Sequence, residues 1–420
     1  MSILQRIIAI AFIWLCTTFA WVILGGTLLS RSSSDRSDHL RASVASTWGT
    51  EQRQLPPTAA FERVVTRRIT TVEHDQPVIR EVEQRDTVAL TTEASRVDVR
   101  LDLAHRQKGL LWCSTYGVRF GGDYRFHNPS PEPQLVRFTL LFPARQAMYD
   151  DLRLTVDGQV LPIEHHGEAA WVTARVAGGA SARLEVGYRS QGLDAWRYEF
   201  GDEVSQVRDF ELTMHTNFKA IDVPPNTLSP TIKQPTATGW DLTWRYRDLV
   251  SGFAIGMTMP EKLQPGPLAG TISFFAPVSL LFFFFLMFLL TLLADIELHP
   301  MNYFFLAAAF FSFHLLLAYL VDHVSIHVAF AIAAVVSVAL VVSYLRLVVG
   351  TRFALVQAGT AQLVYLVLFS YAFFFKGFTG LAITIVSVAT LAVVMQMTGR
   401  IRWSERFATG ARPLVPGPRA

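Results

Sequence analysis

The residues best suited to chemistry in the apolar part of this chain are three polar side chains, His314, Gln357 and Gln362. Each lies in a segment apolar enough to form a helix within a lipid bilayer. Polar groups are costly at that depth, so they are functional candidates by default. His314 could handle a proton, but a hydrogen-bonded contact between helices is more common, and we predict that contact. The apolar segments contain no acidic residue, which argues against an ion-coupled or proton-coupled transporter.

A second set of polar residues lies in the short connection Glu297-Leu298-His299-Pro300-Met301-Asn302-Tyr303. The connection lacks Lys and Arg. It carries Glu297 and His299, with Asp295 just before it, beside a proline, which is suited to the first turn of the next helix. We predict a turn held by buried hydrogen bonds, and a docking or protonation site is the alternative.

The polar region of the chain has no recognisable catalytic motif. The stretch from Glu164 to Glu168 contains two histidines, but it follows a predicted hairpin strand and is more simply a solvated turn than a metal site. Ser114 lacks the Gly-x-Ser-x-Gly context of a nucleophile, and there is neither a Walker loop nor a dinucleotide-binding glycine pattern. We therefore predict no enzymatic activity, no metal and no cofactor, and we interpret this region as a binding or structural module.

The elements that must position these residues fall into two populations. Residues 30–268 contain 28 Lys and Arg and 30 Asp and Glu, whereas the other 181 residues contain only nine and four. The average of 17% charged residues therefore describes neither part. This division excludes a fully soluble protein, a disordered chain and a pure transporter core. The net positive charge belongs to the apolar part, so no nucleic-acid partner is predicted.

Six segments are predicted to span a membrane, because a bilayer core about 30 Å thick needs about 20 apolar residues of helix. The first resembles a signal peptide, but its apolar run continues past Ala20 through Leu29, which favours an uncleaved anchor. The six segments are residues 7–29, 271–294, 303–321, 328–345, 353–375 and 378–397.

The basic residues in the short loops predict the orientation of these spans. With the N-terminus inside, the inner side collects Arg6, Arg346, Arg352 and the five arginines of residues 400–420, and the outer side only Lys376. We therefore predict that both termini are cytoplasmic. In a bacterium, residues 31–268 would then be periplasmic and the protein would lie in the cell inner membrane.

The exported region is predicted to be rich in β-strands. Residues 96–103 alternate charged and apolar side chains with a period of two, as a strand with one buried face does. About a dozen similar runs, with Asp157-Gly158 as a type I′ turn, predict an all-β sandwich or two joined sandwiches. Upstream, Leu40, Val44 and Trp48 share one helical face, which favours a short amphipathic helix over a plain linker.

The predicted fold is thus an α+β membrane protein. A six-helix transmembrane bundle carries a large sandwich-like periplasmic domain inserted between helices 1 and 2. The parts are an N-terminal anchor (1–30), a juxtamembrane helix or linker (31–60), the β-sandwich domain (61–268), a five-helix bundle (269–399) and a basic cytoplasmic tail (400–420).

Three stretches give the chain a resemblance to the CreD family of bacterial inner-membrane proteins. The segment from Leu298 to Tyr303 resembles the family's Leu-His-Pro-Met-x-Tyr turn. Trp48 and Gln52 fit its juxtamembrane Trp-Gly-x-x-Gln pattern, and Arg400-Ile401-Arg402-Trp403 is similar to its closing segment. The resemblance implies a role in cell-envelope integrity or the envelope stress response. It supplies no catalytic residues.

We therefore expect a non-enzymatic inner-membrane protein. Its β domain would contact an unidentified periplasmic envelope component or protein, and its helices, embedded in the lipid bilayer, would anchor or signal that contact. The alternative is a small-molecule or lipid transporter with a path lined by His314 and Gln362.

Overall fold

The computed structural model describes residues 3–31, 34–73, 76–109, 111–201, 204–375 and 377–399. The predicted basic tail at residues 400–420, its Arg400–Trp403 motif and Lys376 therefore lie outside the described residues. The chain divides into two compact units. The helical unit comprises Met1–His39, Gly109–Leu111 and Leu263–Ala420, and the β unit comprises Leu40–Lys108 and Trp112–Lys262.

The six predicted spans are confirmed as helices. Among the described residues, six helices are long and apolar enough to cross a membrane: α1 through Gly25, and α4 to α8. The predicted helix around Leu40 is also present, as α2. The helices are α1 Ile3–Arg31, α2 Ser34–Trp48, α3 Pro265–Phe274, α4 Ala276–Leu293, α5 Pro300–Leu320, α6 Ile326–Val348, α7 Phe353–Phe374 and α8 Thr379–Thr398.

The predicted second span is not one continuous helix, because the chain breaks at Phe275 between α3 and α4. Pro277 has no N–H and cannot donate to the carbonyl of Ser273 four residues earlier. Two indole N–H groups of α1 bind this break. Trp21 donates to the Ser273 carbonyl at 2.9 Å and Trp14 to the Pro277 carbonyl at 3.1 Å. The two tryptophans are seven residues apart and so share one face of α1.

Within the described residues, the β unit contains sixteen strands. Most are longer than the alternating sequence runs from which strands were predicted. The predicted type I′ turn is confirmed, since Asp157 and Gly158 have φ values of 50° and 77°. The strands are β1 Gln52–Gln54, β2 Thr58–Glu73, β3 Gln76–Ala89, β4 Thr91–Lys108, β5 Leu111–His127, β6 Gln134–Leu141, β7 Tyr149–Val156, β8 Gln159–Val160, β9 Glu164–His166, β10 Ala169–Val176, β11 Ser181–Leu193, β12 Ala195–Tyr198, β13 Ser205–Thr216, β14 Ile232–Pro235, β15 Trp240–Ser251 and β16 Ile255–Thr258.

These strands form three sheets around one core. The large sheet has the order β14-β15-β13-β4-β5-β11-β7-β8, the second β3-β2-β6-β10-β9 and the smallest β1-β12-β16. Phe126 of the large sheet meets Phe138 of the second with ring centroids 5.7 Å apart, and Tyr198 of the smallest meets Phe210 at 5.7 Å. One hydrophobic cluster includes residues of all three sheets. The structure therefore favours one sandwich-like domain over two joined sandwiches.

The predicted solvated turn at residues 164–168 is partly a strand. Glu164, His165 and His166 form the exposed edge strand β9, which pairs with β10, and a turn follows at Gly167. The two histidines are solvated, as expected, because β9 lies at the edge of its sheet.

Candidate functional site

His314 lies on α5 and is 1% exposed. Its ring is surrounded by the rings of Trp21, Phe310 and Phe313, with centroids 5.7, 5.8 and 4.9 Å away. Neither ring nitrogen has a hydrogen-bond partner among the described residues. The prediction of a hydrogen-bonded contact between helices is therefore wrong. The neighbours are aromatic rings, and the one nearby indole N–H is already donated to the Ser273 carbonyl.

Two further buried hydroxyl groups belong to neighbours of Trp21, namely Ser273 and Thr18. Ser273, whose carbonyl binds the Trp21 indole, is 3% exposed, and its own hydroxyl has no partner within the described part of the chain. The hydroxyl of Thr18, one turn before Trp21 on α1, is also buried without a partner there. We call Thr18, Trp21, Ser273 and His314 the His314 cluster. Its four orphan polar atoms have the chemistry to bind a small polar molecule or to exchange a proton.

Gln362 belongs to a different hydrogen-bonded chain. It is fully buried on α7, and its Nε2 donates to the Ser337 hydroxyl at 3.0 Å. Ser337 in turn donates to the Ala309 carbonyl at 2.6 Å, so the chain joins α7, α6 and α5. Gln357 is exposed on α7 and takes no part in it. The structure therefore does not bring the three predicted intramembrane residues together at one site.

The turn at residues 297–303 between α4 and α5, which we call the signature turn, is held by hydrogen bonds. They are exposed or half-buried, whereas buried ones were predicted. His299 caps α5, because its Nδ1 accepts the N–H of Met301 at 3.2 Å, and Pro300 occupies the first helical position. Asn302 accepts a hydrogen bond from the Tyr344 hydroxyl of α6 at 2.7 Å. Glu297 is exposed beside these contacts.

Nothing in the sequence indicated that Arg6 contacts this turn. Arg6 of α1 is 9% exposed and donates to the carbonyl of Ile296 at 3.3 Å. The buried ring of Tyr303 places its hydroxyl near Arg6 and Thr291, without a hydrogen bond of good geometry. The turn thus attaches α1 to the rest of the helical unit. The only relevant sequence feature was the position of Arg6 just before the first apolar run. It indicated only the orientation of the membrane spans.

The juxtamembrane residues Trp48 and Gln52 have structural contacts within the β unit. Gln52 is fully buried, and its Nε2 donates to the Ser190 hydroxyl at 2.8 Å and to the Gln191 carbonyl at 2.9 Å. These bonds fasten β1 to β11. The ring of Trp48 lies under the guanidinium of Arg106, with 3.5 Å between the guanidinium carbon and the ring centroid.

An open groove on the large sheet was not predicted from the sequence. It has a volume of about 360 Å³ and crosses the outer face of β13, β4, β5 and β11. Gly121 lies in its floor and pairs with Gly187 of β11. A Cβ at Gly121 would meet the Asp98 carbonyl at an ordinary 3.8 Å, so a side chain here would fill the groove without a clash. Charged side chains line it: Arg96, Asp98, Asp123, Arg183, Glu185 and Glu211.

Both arginines of the groove are paired with carboxylates. Arg96 binds Asp209 at 2.8 Å, and Arg183 binds Asp123 at 2.5 Å. Just beyond the groove, His215 lies between Asp241 at 2.7 Å and Asp98 at 3.0 Å. Partial burial lowers the pKa of His215, but hydrogen bonds to the two carboxylates and their charge outweigh it and raise the pKa above its ordinary value.

Within the described ranges, no three His, Cys, Asp or Glu side chains are grouped so that they could hold a metal ion.

The family profile described as "Inner membrane protein CreD" matches residues 274–404. The resemblance to the CreD family is confirmed. The match spans α4 to α8, including the signature turn, and with the six apolar helices it supports a multi-pass membrane protein. No curated protein sequence matches the chain.

Solved structures give only distant likenesses. A protein of Legionella pneumophila provisionally described as nutrient-binding is 9% identical, with a TM-score of 0.35, over 56% of this chain and 76% of that one. An M1 zinc metallopeptidase from Deinococcus radiodurans is 12% identical, with a TM-score of 0.27, over 40% of this chain and 42% of that one. Similarities this weak carry no argument about fold or activity.

Proposed function

We propose that this chain is an inner-membrane protein with a role in cell-envelope integrity or the envelope stress response. In this proposal the β unit contacts an envelope component without catalysing a reaction, and the helical unit anchors or signals that contact. The match to the CreD family over residues 274–404 supports the location, and the resemblance to that family implies the envelope role.

The open groove on the large sheet is the observation that carries the binding role. It crosses four strands and is not enclosed, which suits an extended polar ligand better than a small buried substrate. Exposed ion pairs contribute only about 0–1 kcal/mol each. The pairs that Arg96 and Arg183 form can therefore be exchanged for contacts with a charged or polar ligand at little cost in stability.

A paired set of variants tests the groove. The double variant Arg96→Ala with Arg183→Ala should lose survival under envelope stress at equal membrane abundance. The matched control is Arg153→Ala with Arg175→Ala, two exposed arginines of the β unit outside the groove, which should leave survival unchanged. Wild-type survival of the groove variant would contradict the proposal.

The periplasmic location of the β unit is part of the proposal and has its own test. Reporter fusions inserted at the exposed Gly158 turn and at Pro413 should report periplasm and cytoplasm, respectively. The opposite result would overturn the orientation inferred from the basic loops.

A transport function of the helical unit is the second candidate. The orphan polar atoms of the His314 cluster favour it, because polar groups in a bilayer usually mark a path or a binding site.

A further inference from the structure

A second pocket lies wholly within the β unit. It has a volume of about 460 Å³ and lies between α2 and the last residues of β4. We call it the juxtamembrane pocket. It is lined by Ser43, Val44, Thr47, Trp48, Arg106, Gln107 and Lys108.

The polar groups of this pocket are those that bind phosphate. Arg106 stacks on the Trp48 ring at 3.5 Å, which leaves the edge of its planar guanidinium available for hydrogen bonds. The ammonium of Lys108 contacts the Ser43 hydroxyl. Among the described residues, neither cation forms an ion pair with a carboxylate. A guanidinium, an ammonium and nearby hydroxyls form a typical set of donors for a phosphate group.

The seven residues that line the pocket include two cations and no carboxylate. Asp194 pairs with Arg41, and Glu51 pairs with Arg197 at 2.8 Å. The pocket therefore keeps an excess of positive charge. A further cation, Lys262, lies over the Trp112 ring at 4.1 Å.

One of the pocket residues adjoins a segment that groups with the helical unit. Lys108 is the last residue of the β unit before Gly109–Leu111, which belong to the helical unit. The sequence there reads Arg106-Gln107-Lys108-Gly109-Leu110-Leu111-Trp112. Basic residues flanking an apolar and aromatic tip are typical of segments at a membrane surface.

We propose that the juxtamembrane pocket binds the phosphate of an anionic phospholipid in the membrane that the helices span. Arg106 and Lys108 hold the phosphate, the Ser43 hydroxyl donates to its oxygens, and the Trp48 ring packs against the glycerol. Binding ties the end of the β unit to the bilayer surface. The inference does not depend on what the groove of the large sheet binds.

The test measures binding of short-chain phosphatidylglycerol to the purified full-length protein in a neutral detergent. The expected result is saturable binding, weakened about tenfold or more in the variant Arg106→Gln with Lys108→Gln, since each basic residue near an anionic lipid contributes measurably. The matched control, Arg153→Gln with Arg175→Gln, removes the same charge elsewhere and should bind as the wild type does. The variant Arg106→Lys, which keeps the charge, should recover part of the affinity.

Two further arms separate the possible sources of the phosphate. Short-chain phosphatidylcholine should bind more weakly than phosphatidylglycerol, and inorganic phosphate should not displace the lipid at equal concentration. Inorganic phosphate that binds as tightly as the lipid would overturn the lipid assignment. Equal lipid binding by the wild type and the Arg106→Gln, Lys108→Gln variant, with matching thermal unfolding curves, would overturn the site itself.

Discussion

The two units differ in how they treat buried polar groups. In the β unit, the Tyr188 hydroxyl donates to Gln54 Oε1 at 2.6 Å, and the Tyr116 hydroxyl donates to the Ala195 carbonyl at 2.7 Å. In the helical unit, His314 and the Ser273 hydroxyl lack partners among the described residues. The β unit has exceptions in Gln52 Oε1 and the Trp196 indole, and Glu51 Oε1 and Arg197 Nε are buried without a hydrogen bond although the two side chains form an ion pair. Within the described part of the chain, more of the orphan atoms lie in the helical unit.

This difference distinguishes buried polar groups that stabilise the protein from those that are candidates for function. A buried polar group without a partner costs about 1–3 kcal/mol, and the bilayer offers no water to replace that partner. The bonded groups of the β unit stabilise its core, so its binding chemistry lies on its surface, in the groove and the juxtamembrane pocket. The orphan groups of the helical unit do not stabilise it, and they are the strongest feature in favour of the transport alternative.

The largest expected effect comes from the contact of α1 with the break between α3 and α4. Trp21→Ala should lower the free energy of unfolding by about 3–5 kcal/mol, because Trp21 is 4% exposed and stacks on Phe311 at 4.6 Å. Trp21→Phe keeps a stacked ring and removes only the donor to Ser273, so it should cost less. Unfolding of the full-length protein in detergent measures both. Equal losses for the two variants would show that the ring packing contributes little.

A smaller effect is expected from the bonded core of the β unit. Gln54→Leu removes the acceptor of the Tyr188 hydroxyl, which is fully buried, and should cost about 1–3 kcal/mol. The double variant Gln54→Leu with Tyr188→Phe should recover part of that loss, because no buried hydroxyl is then left without a partner. The bond from Gln54 Nε2 to the Leu55 carbonyl is lost in both variants. A double variant as unstable as the single one would contradict this account of the pair.

The corresponding substitution in the helical unit should raise the free energy of unfolding slightly or leave it unchanged. His314→Phe removes two orphan nitrogens and keeps a ring among the aromatic neighbours, so unfolding should be unchanged or require slightly more heat. The same unfolding measurement in detergent applies. A loss as large as that of Gln54→Leu would break the contrast between the two units.

The smallest effect concerns pH. The raised pKa of His215 means that its stabilising contacts with Asp98 and Asp241 are fully present below the ordinary histidine pKa of about 6.5. That contribution is lost as the pH rises through the higher pKa of the folded protein. Unfolding temperatures compared between about pH 6 and pH 8 should therefore fall more for the wild type than for His215→Gln. Identical pH profiles would contradict the assigned pKa direction.

Much of the fold follows from periodic patterns in the sequence. Alternation around Val97 and Val99 predicted β4, and apolar length predicted the six spans, because burial of one face or of a whole helix requires those patterns. The break at Phe275 could also have been predicted, because Pro277 follows two residues later, but it was not.

The candidate sites depended on contacts between residues distant in the chain, which periodicity does not encode. Arg6 meets the carbonyl of Ile296, and Gly121 pairs with Gly187 to open the groove. The aromatic surroundings of His314 likewise arise from α1 and α5 together. The sequence therefore indicated in part which polar residues are buried and which are exposed. It did not show which of them contact one another.

The central claim is that the protein acts through its β unit, and one comparison tests it directly. Residues 40–262 are replaced by a flexible linker in one strain, and His314→Phe is introduced in another, with membrane abundance matched to the wild type. We predict that the replacement abolishes survival under envelope stress and that His314→Phe leaves survival unchanged. A harmless replacement together with loss of survival in His314→Phe would contradict the account and favour transport by the helical unit.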